Sequence, residues 1–259
     1  MFIDNIRTGQ FYARILAVFV ILASIAVLPV GAAQELKVGY IQGGGDGPAL
    51  HQQAFDTAKI EFDYIKSYKI DRLLEFDVIA VGEQAYHTND DLKANFKVVN
   101  DYVEQGGYLV TIDFQQDSTW NKNFLPHPLV LLDPDLGDDV GVILADHDIF
   151  KTPNALTEDH FGAGIWGGGG DFMADGPHEV DAPWVPLVSD KLNKWPMVVG
   201  AEAGKGYIVF NSLQVIQALA NTGNQELIEV MENFLFWRGP LSVDAQSKLA
   251  TTWGMLKNQ

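Results

Sequence analysis

The residues with the richest chemistry cluster in one stretch, His147-Asp148-Ile149-Phe150-Lys151-Thr152-Pro153-Asn154-Ala155-Leu156-Thr157-Glu158-Asp159-His160-Phe161. His147, Asp148, Glu158, Asp159 and His160 could supply nitrogen and oxygen ligands to zinc. The spacing argues against it, because no His-x-x-x-His or His-Glu-x-x-His pattern presents two imidazoles on one helix face. The segment Asp133 to Asp139 has the acidity of a calcium loop but neither its register nor its closing Glu. The expectation is therefore no bound metal and no cofactor. A second set of polar groups, Glu83, His87, Asp113 and Asp117, falls just after apolar runs. Paired carboxylates there would suit a carbohydrate-active hydrolase, which needs two of them ~5–10 Å apart. Trp120, Trp166, Trp184 and Trp195 would suit sugar stacking, or would plug a loop-rich core.

The elements that position these groups read clearly in the first half. Leu36–Ile41, Phe76–Gly82 and Tyr108–Ile112 are short apolar strands. A helical stripe over 49–66 uses Leu50, Ala54, Ala58, Phe62 and Ile65. Thr88-Asn89-Asp90-Asp91 caps a second helix whose inner face is Leu92, Phe96, Val99 and Val103, and Gly106-Gly107 ends it. Strand alternating with helix predicts a doubly wound, mainly parallel α/β sheet with helices on both faces. Ligands in such sheets gather at the carboxyl ends of strands, here 42–45, 83–87 and 113–117.

The second half is less regular. Val140–Ala145 reads as a strand, and Met197–Ala201 and Tyr207–Phe210 form a hairpin across Gly204-Lys205-Gly206. A last helix spans about 226–237. Gly43-Gly44-Gly45-Asp46-Gly47 lacks the Lys of a phosphate loop and reads as a tight strand-to-helix turn. The Gly167–Gly170 run reads as a loop tip.

Composition narrows the partners. The net charge of −17 disfavours nucleic acid and anionic lipid. There is no cysteine, which removes disulfides, thiolate nucleophiles and Cys metal sites. Residues 1–33 resemble a secretory signal: Arg7 and Arg14, an apolar run from Ile15 to Val30, then Gly31-Ala32-Ala33. The rival reading is an uncleaved anchor, the one membrane contact expected. These residues carry a net +1, so their removal leaves −18. The expected organisation is a signal over 1–33, an α/β domain over 34–238 and a tail over 239–259, in a periplasmic or secreted protein.

The order of these elements resembles the class I glutamine amidotransferase-like fold and, within it, ThuA-like domains. The residues that carry the resemblance are Asp77–Gly82, Gly106-Gly107, Tyr108–Ile112, and Gly204–Leu213 with its closing helix. His147, Pro153-Asn154, Thr157, Phe161 and Trp166 are similar to a His-x-x-x-x-x-Pro-Asn segment of exported bacterial members, some fused to sugar-deacetylase domains. His160 stands where that segment has Asp, and the gap to Trp166 is longer. The resemblance implies a Cys nucleophile at the elbow after Tyr108–Ile112, where this chain has Asp113, and a His where it has Asn211. Without Cys, glutamine hydrolysis by that route is excluded.

Three functions follow as expectations. The first is an exported non-catalytic domain that binds a small molecule, a sugar or an envelope protein. The second is a carbohydrate-active hydrolase using Glu83 and Asp113. The third is a structural subunit of a cell-envelope assembly. The loop from His147 to Gly170 is expected to cross the carboxyl ends of the strands, bringing His147, Asn154, His160 and Trp166 towards Glu83, His87 and Asp113.

Overall fold

A computed structural model describes residues 36–44, 47–112, 120–131, 140–162, 164–166, 176–177, 179–191 and 193–238. The signal-like segment, the tail, Asp113, Asp117, Asp133–Asp139 and Gly167–Gly170 lie outside the described residues. The strands are β1 (Val38–Ile41), β2 (Asp63–Tyr64), β3 (Val78–Val81), β4 (Tyr108–Thr111), β5 (Val140–Ile143), β6 (Val185–Asp190), β7 (Pro196–Ala203) and β8 (Gly206–Asn211). The helices are α1 (Gly47–Ala58), α2 (Ile70–Leu73), α3 (Ala85–Thr88), α4 (Asp90–Glu104), α5 (Val215–Thr222) and α6 (Gln225–Phe236).

One sheet runs in the order β2-β1-β3-β4-β8-β7-β6-β5. β2, β1, β3, β4 and β8 are parallel to their neighbours, and the β8-β7-β6-β5 pairings are antiparallel. Every residue of β1, β3, β4 and β8 is buried, as strands covered on both faces must be. Their side chains alternate between two cores. Val38, Tyr40, Val78, Ala80, Tyr108, Val110 and Val209 meet α1, α5 and α6. Ile41, Ile79, Val81, Leu109, Ile208 and Phe210 meet α2 and α4. The expected doubly wound α/β class is the observed one.

Local chemistry explains the element ends. Asn89 Oδ1 accepts the Leu92 N–H at 2.9 Å and caps α4. Gly106, at φ +120°, closes that helix where a side chain would be strained. The expected helix over 49–66 stops at Ala58, because Lys59 turns at φ +57°. Phe62 then packs beside Tyr40 and Tyr64 as the chain enters the edge strand β2. β6 was not foreseen. Pro186 interrupts its pattern, and its pairing with β7 shifts register twice.

The β7–β8 turn has Gly204 at φ +60° as its first central residue, the geometry of a II′ hairpin. Lys205 N–H bonds Glu104 O at 2.9 Å, so the turn is docked on the end of α4. A Cβ on Gly204 would collide with Glu104 O. Gly204→Ala should therefore cost ~2 kcal/mol or more in urea unfolding. Gly164→Ala, where a Cβ meets nothing within 4 Å, should stay within about 0.5 kcal/mol. Equal effects would mean that the turn is not packed as described.

Candidate functional site

The strand order reverses direction between β1 and β3, since α1 leads outward to β2 and the chain then returns to the far side of β1. Such a reversal opens a crevice at the carboxyl ends of the two strands. A cavity of about 350 Å³ lies there, lined by Gln42, Gly43, Gly44, Thr88, Asn89, Asp90 and Asp91. Its walls are held by backbone. A Cβ on Gly43 would run into Glu83 O, so only glycine lets the β1 and β3 loops touch. Gln84 completes the turn after β3 in the left-handed region, at φ 53° and ψ 22°. Asn89 Nδ2 donates to Gln42 O at 2.8 Å, and Lys93 Nζ donates to His87 O at 2.9 Å. Lys93 also pairs with Asp90 at 2.8 Å and holds that carboxyl below its ordinary range. A larger depression of about 680 Å³ lies on α1 at Ala49, Gln52, Gln53, Asp56 and Thr57. It is one open helix face with no strand end among its lining residues, so the crevice is the better candidate.

Of the residues singled out from sequence, Glu83 and His87 sit at the carboxyl end of β3, and Glu83 is buried. Asp113 lies outside the described residues. The other four go elsewhere. His147 Nε2 lies 3.2 Å from the hydroxyl of Tyr207, which pairs with Tyr108 at the amino end of β4. Asn154 N–H donates to Asn233 Oδ1 at 2.9 Å, and its Nδ2 donates to Glu232 Oε2 at 2.7 Å. His160 Nε2 meets Glu229 Oε2 at 3.1 Å. The Asn154 and His160 contacts all fall on α6, and the apolar residues of the strap share the core that α1, α5 and α6 cover.

The expected crossing of the carboxyl edge is therefore corrected. The 147–161 strap is bound to α6 and to the amino end of β8. The reason is backbone demand: Asn233 is fully buried, and its Nδ2 donates to Ile149 O at 2.7 Å and to Asn154 O at 2.8 Å. The imidazoles are also committed. His147 Nδ1 accepts the Ile149 N–H at 3.1 Å, and His160 Nδ1 accepts the Thr157 N–H at 3.0 Å. With both nitrogens of each ring bonded within the protein, neither offers a metal a lone pair in this arrangement. No group of three potential ligands gathers among the described residues.

Three of the four tryptophans take the second of the two roles open to them and fill the core. Trp166 is 3% exposed and donates to His160 O at 3.0 Å. Trp184 is buried and donates to Pro128 O, and Trp120 packs on Tyr86, Phe124 and Phe210 while donating to Leu129 O. These rings have protein neighbours where a sugar would stack. Sequence reading included Gln42 among the strand ends where ligands gather, but missed Thr88 and Asn89 as crevice residues. The signal was present in the Asn89 cap, which was read only as local structure.

Asn211, where the resemblance implies a His, ends β8 fully buried. Its Oδ1 accepts the Leu213 N–H at 3.0 Å, and its Nδ2 donates to Leu213 O at 3.1 Å. Its backbone N–H donates to Thr111 Oγ1 at 2.7 Å, and Thr111 Oγ1 donates to Asn211 O at 2.9 Å.

A candidate GMP synthase component from Thermoplasma acidophilum is similar in structure. The TM-score is 0.51 at 10% identity, over 85% of this chain and all of that one. The fold is amidotransferase-like. A cytoplasmic protein from Salmonella typhimurium aligns with a TM-score of 0.50 at 13% identity, over 77% of this chain and 96% of that one. At these identities the likeness concerns the amidotransferase-like fold alone. No protein-family model matches the sequence, and no curated protein is similar to it.

Asn233→Ala would strand the Ile149 and Asn154 carbonyls and the Asn154 N–H inside the protein. Chemical denaturation should show a loss of ~2–4 kcal/mol. His160→Ala removes a partly exposed pair and should cost ~1 kcal/mol or less. A reversed ranking would mean that the strap is not held through Asn233.

Proposed function

We propose that this chain is an exported, non-catalytic, ThuA-like member of the amidotransferase-like fold that binds a small polar molecule in the β1–β3 crevice. The observation that carries the reading is the crevice itself, set at the strand reversal and lined by amide, hydroxyl and carboxylate groups. The catalytic parts that the fold resemblance implies are missing: the chain has no Cys, and Asn211 spends its side chain on Leu213. The lining offers both donors and acceptors, which suits a hydroxylated ligand such as a sugar.

The test combines a glycan array with amide NMR. A neutral or amino sugar should shift Gln42, Gly43, Thr88 and Asn89, while Thr88→Trp should abolish binding and leave the melting temperature unchanged. Thr88 is exposed at the mouth, so the substitution fills the crevice without entering the core. Shifts confined to other surfaces would remove this site. Turnover of a substrate that is lost on Asp113→Ala would replace the binding reading with an enzymatic one.

Export has its own check. Protein recovered from the periplasm should begin just after Ala33 by N-terminal sequencing. A retained Met1 in a membrane fraction would favour the anchor instead.

A further inference from the structure

The strap begins at a half-buried histidine whose protonation state its hydrogen bonds define. His147 Nδ1 accepts the Ile149 N–H at 3.1 Å, so the neutral ring carries its proton on Nε2, which faces Tyr207 Oη at 3.2 Å. His147 is the cap of the 3₁₀ turn Asp148–Phe150, whose residues Ile149 and Phe150 are buried. Its ring packs on Trp237, with centroids 4.7 Å apart, at the end of α6.

We propose that His147 is an acid-sensitive latch: protonation at Nδ1 sets two donors face to face, breaks the Ile149 bond, and loosens the strap from the last helix. The charged groups around it decide whether this happens in an accessible range. From the strap itself, Asp148 favours the imidazolium, while Lys151 opposes it. Lys151 is partly occupied by Asp146 and, at 3.7 Å, by Asp148. From the end of α6, Arg238 opposes protonation, lying 5.6 Å over Trp237 and 5.5 Å over Tyr207. From β8, Tyr207 stays a neutral hydroxyl, because burial pushes it up to about 12. Burial is the largest influence on His147 and, with the two cations, holds it below the ordinary histidine range.

The direction follows from that shift. A released His147 binds its proton at about pH 6.5, and a latched one only at lower pH. The latched state is thus fully favoured above that value and loses ground as pH falls through it. Farther along the strap, His160 faces Glu229. His160 Nδ1 likewise accepts a backbone N–H, that of Thr157, so the Ile149 amide rather than the strap as a whole is the readout that singles out His147.

The experiment follows amide exchange at Ile149 and Phe150, corrected for intrinsic rates, from about pH 8 to pH 5. Wild type should lose protection severalfold at Ile149 as His147 titrates. His147→Asn supplies an Oδ1 acceptor where Nδ1 was, since Asn is a favoured cap, but has no titration in this range. Its Ile149 protection should be flat. His147→Ala should be unprotected at every pH. A flat wild-type profile overturns the proposal, and so does an unchanged pH dependence in His147→Asn. Folded controls come from the β4 amides, which should remain protected throughout.

Discussion

Thr111 and Asn211 hold together two halves of one sheet that are built on different logic. To one side lie parallel strands joined through helices, and to the other lie hairpin-like antiparallel strands. The join falls at the last residues of β4 and β8, both fully buried, where regular pairing is about to end. Thr111 Oγ1 bonds both the N–H and the carbonyl of Asn211, so the junction is satisfied without water. Asn211 then uses one amide to satisfy both backbone groups of Leu213, and Ser212 bonds Met197 O at 2.8 Å. A primary amide presents its acceptor and donor side by side close to the backbone, which fits this local demand; the two nitrogens of an imidazole point in diverging directions. The position at which the resemblance implies a general base is therefore occupied by a group selected for closure of the sheet.

The same accounting of buried polar groups places the strap. A loop that runs over apolar helices must bring or find partners for its backbone. The 147–161 strap finds backbone partners in Asn233 of α6, adds side-chain bonds from His160 and Asn154 to Glu229 and Glu232 of the same helix, and brings Ile149, Phe150, Leu156 and Phe161 into the core beside it. Its two histidines, conspicuous in the sequence, act as backbone acceptors and helix contacts. A conspicuous residue was thereby a structural one, and plain ones such as Gln42 and Thr88 line the crevice.

What could be read from the sequence had local causes. The apolar runs of β1, β3 and β4, the Asn89 cap, the Gly106 stop and the Gly204 turn each depend on neighbours within a few residues, and each was legible. The layered α/β class followed from their order. The strap's location was not legible, because the groups that bind Asn154 lie 78 and 79 residues away. The length of α1 was overstated because Phe62 and Ile65 keep helical spacing yet are partly buried after a left-handed turn at Lys59. Tryptophan gave no sign of its role, since a ring that stacks on sugar and a ring that fills a core have the same composition. Only the indole N–H partners at Leu129, Pro128 and His160 separate the two.

Electrostatics at the crevice narrows what can enter it. A helix N-terminus at a strand reversal ordinarily attracts anions through its free N–H groups and its dipole. Here α4 begins with Asn89 already bonded to Leu92 N–H, followed by Asp90 and Asp91. The dipole is thus answered from within the chain. The nearby cation, Lys93, is taken up by Asp90 and His87 O. A phosphate would meet two carboxylates in a molecule whose net charge is already −17. A neutral hydroxylated ligand meets no such cost, and an amine gains from the same carboxylates. The negative surface and the capped helix therefore act in one direction: they leave the usual place for a ligand in this architecture open while removing the usual reason for an anion to occupy it.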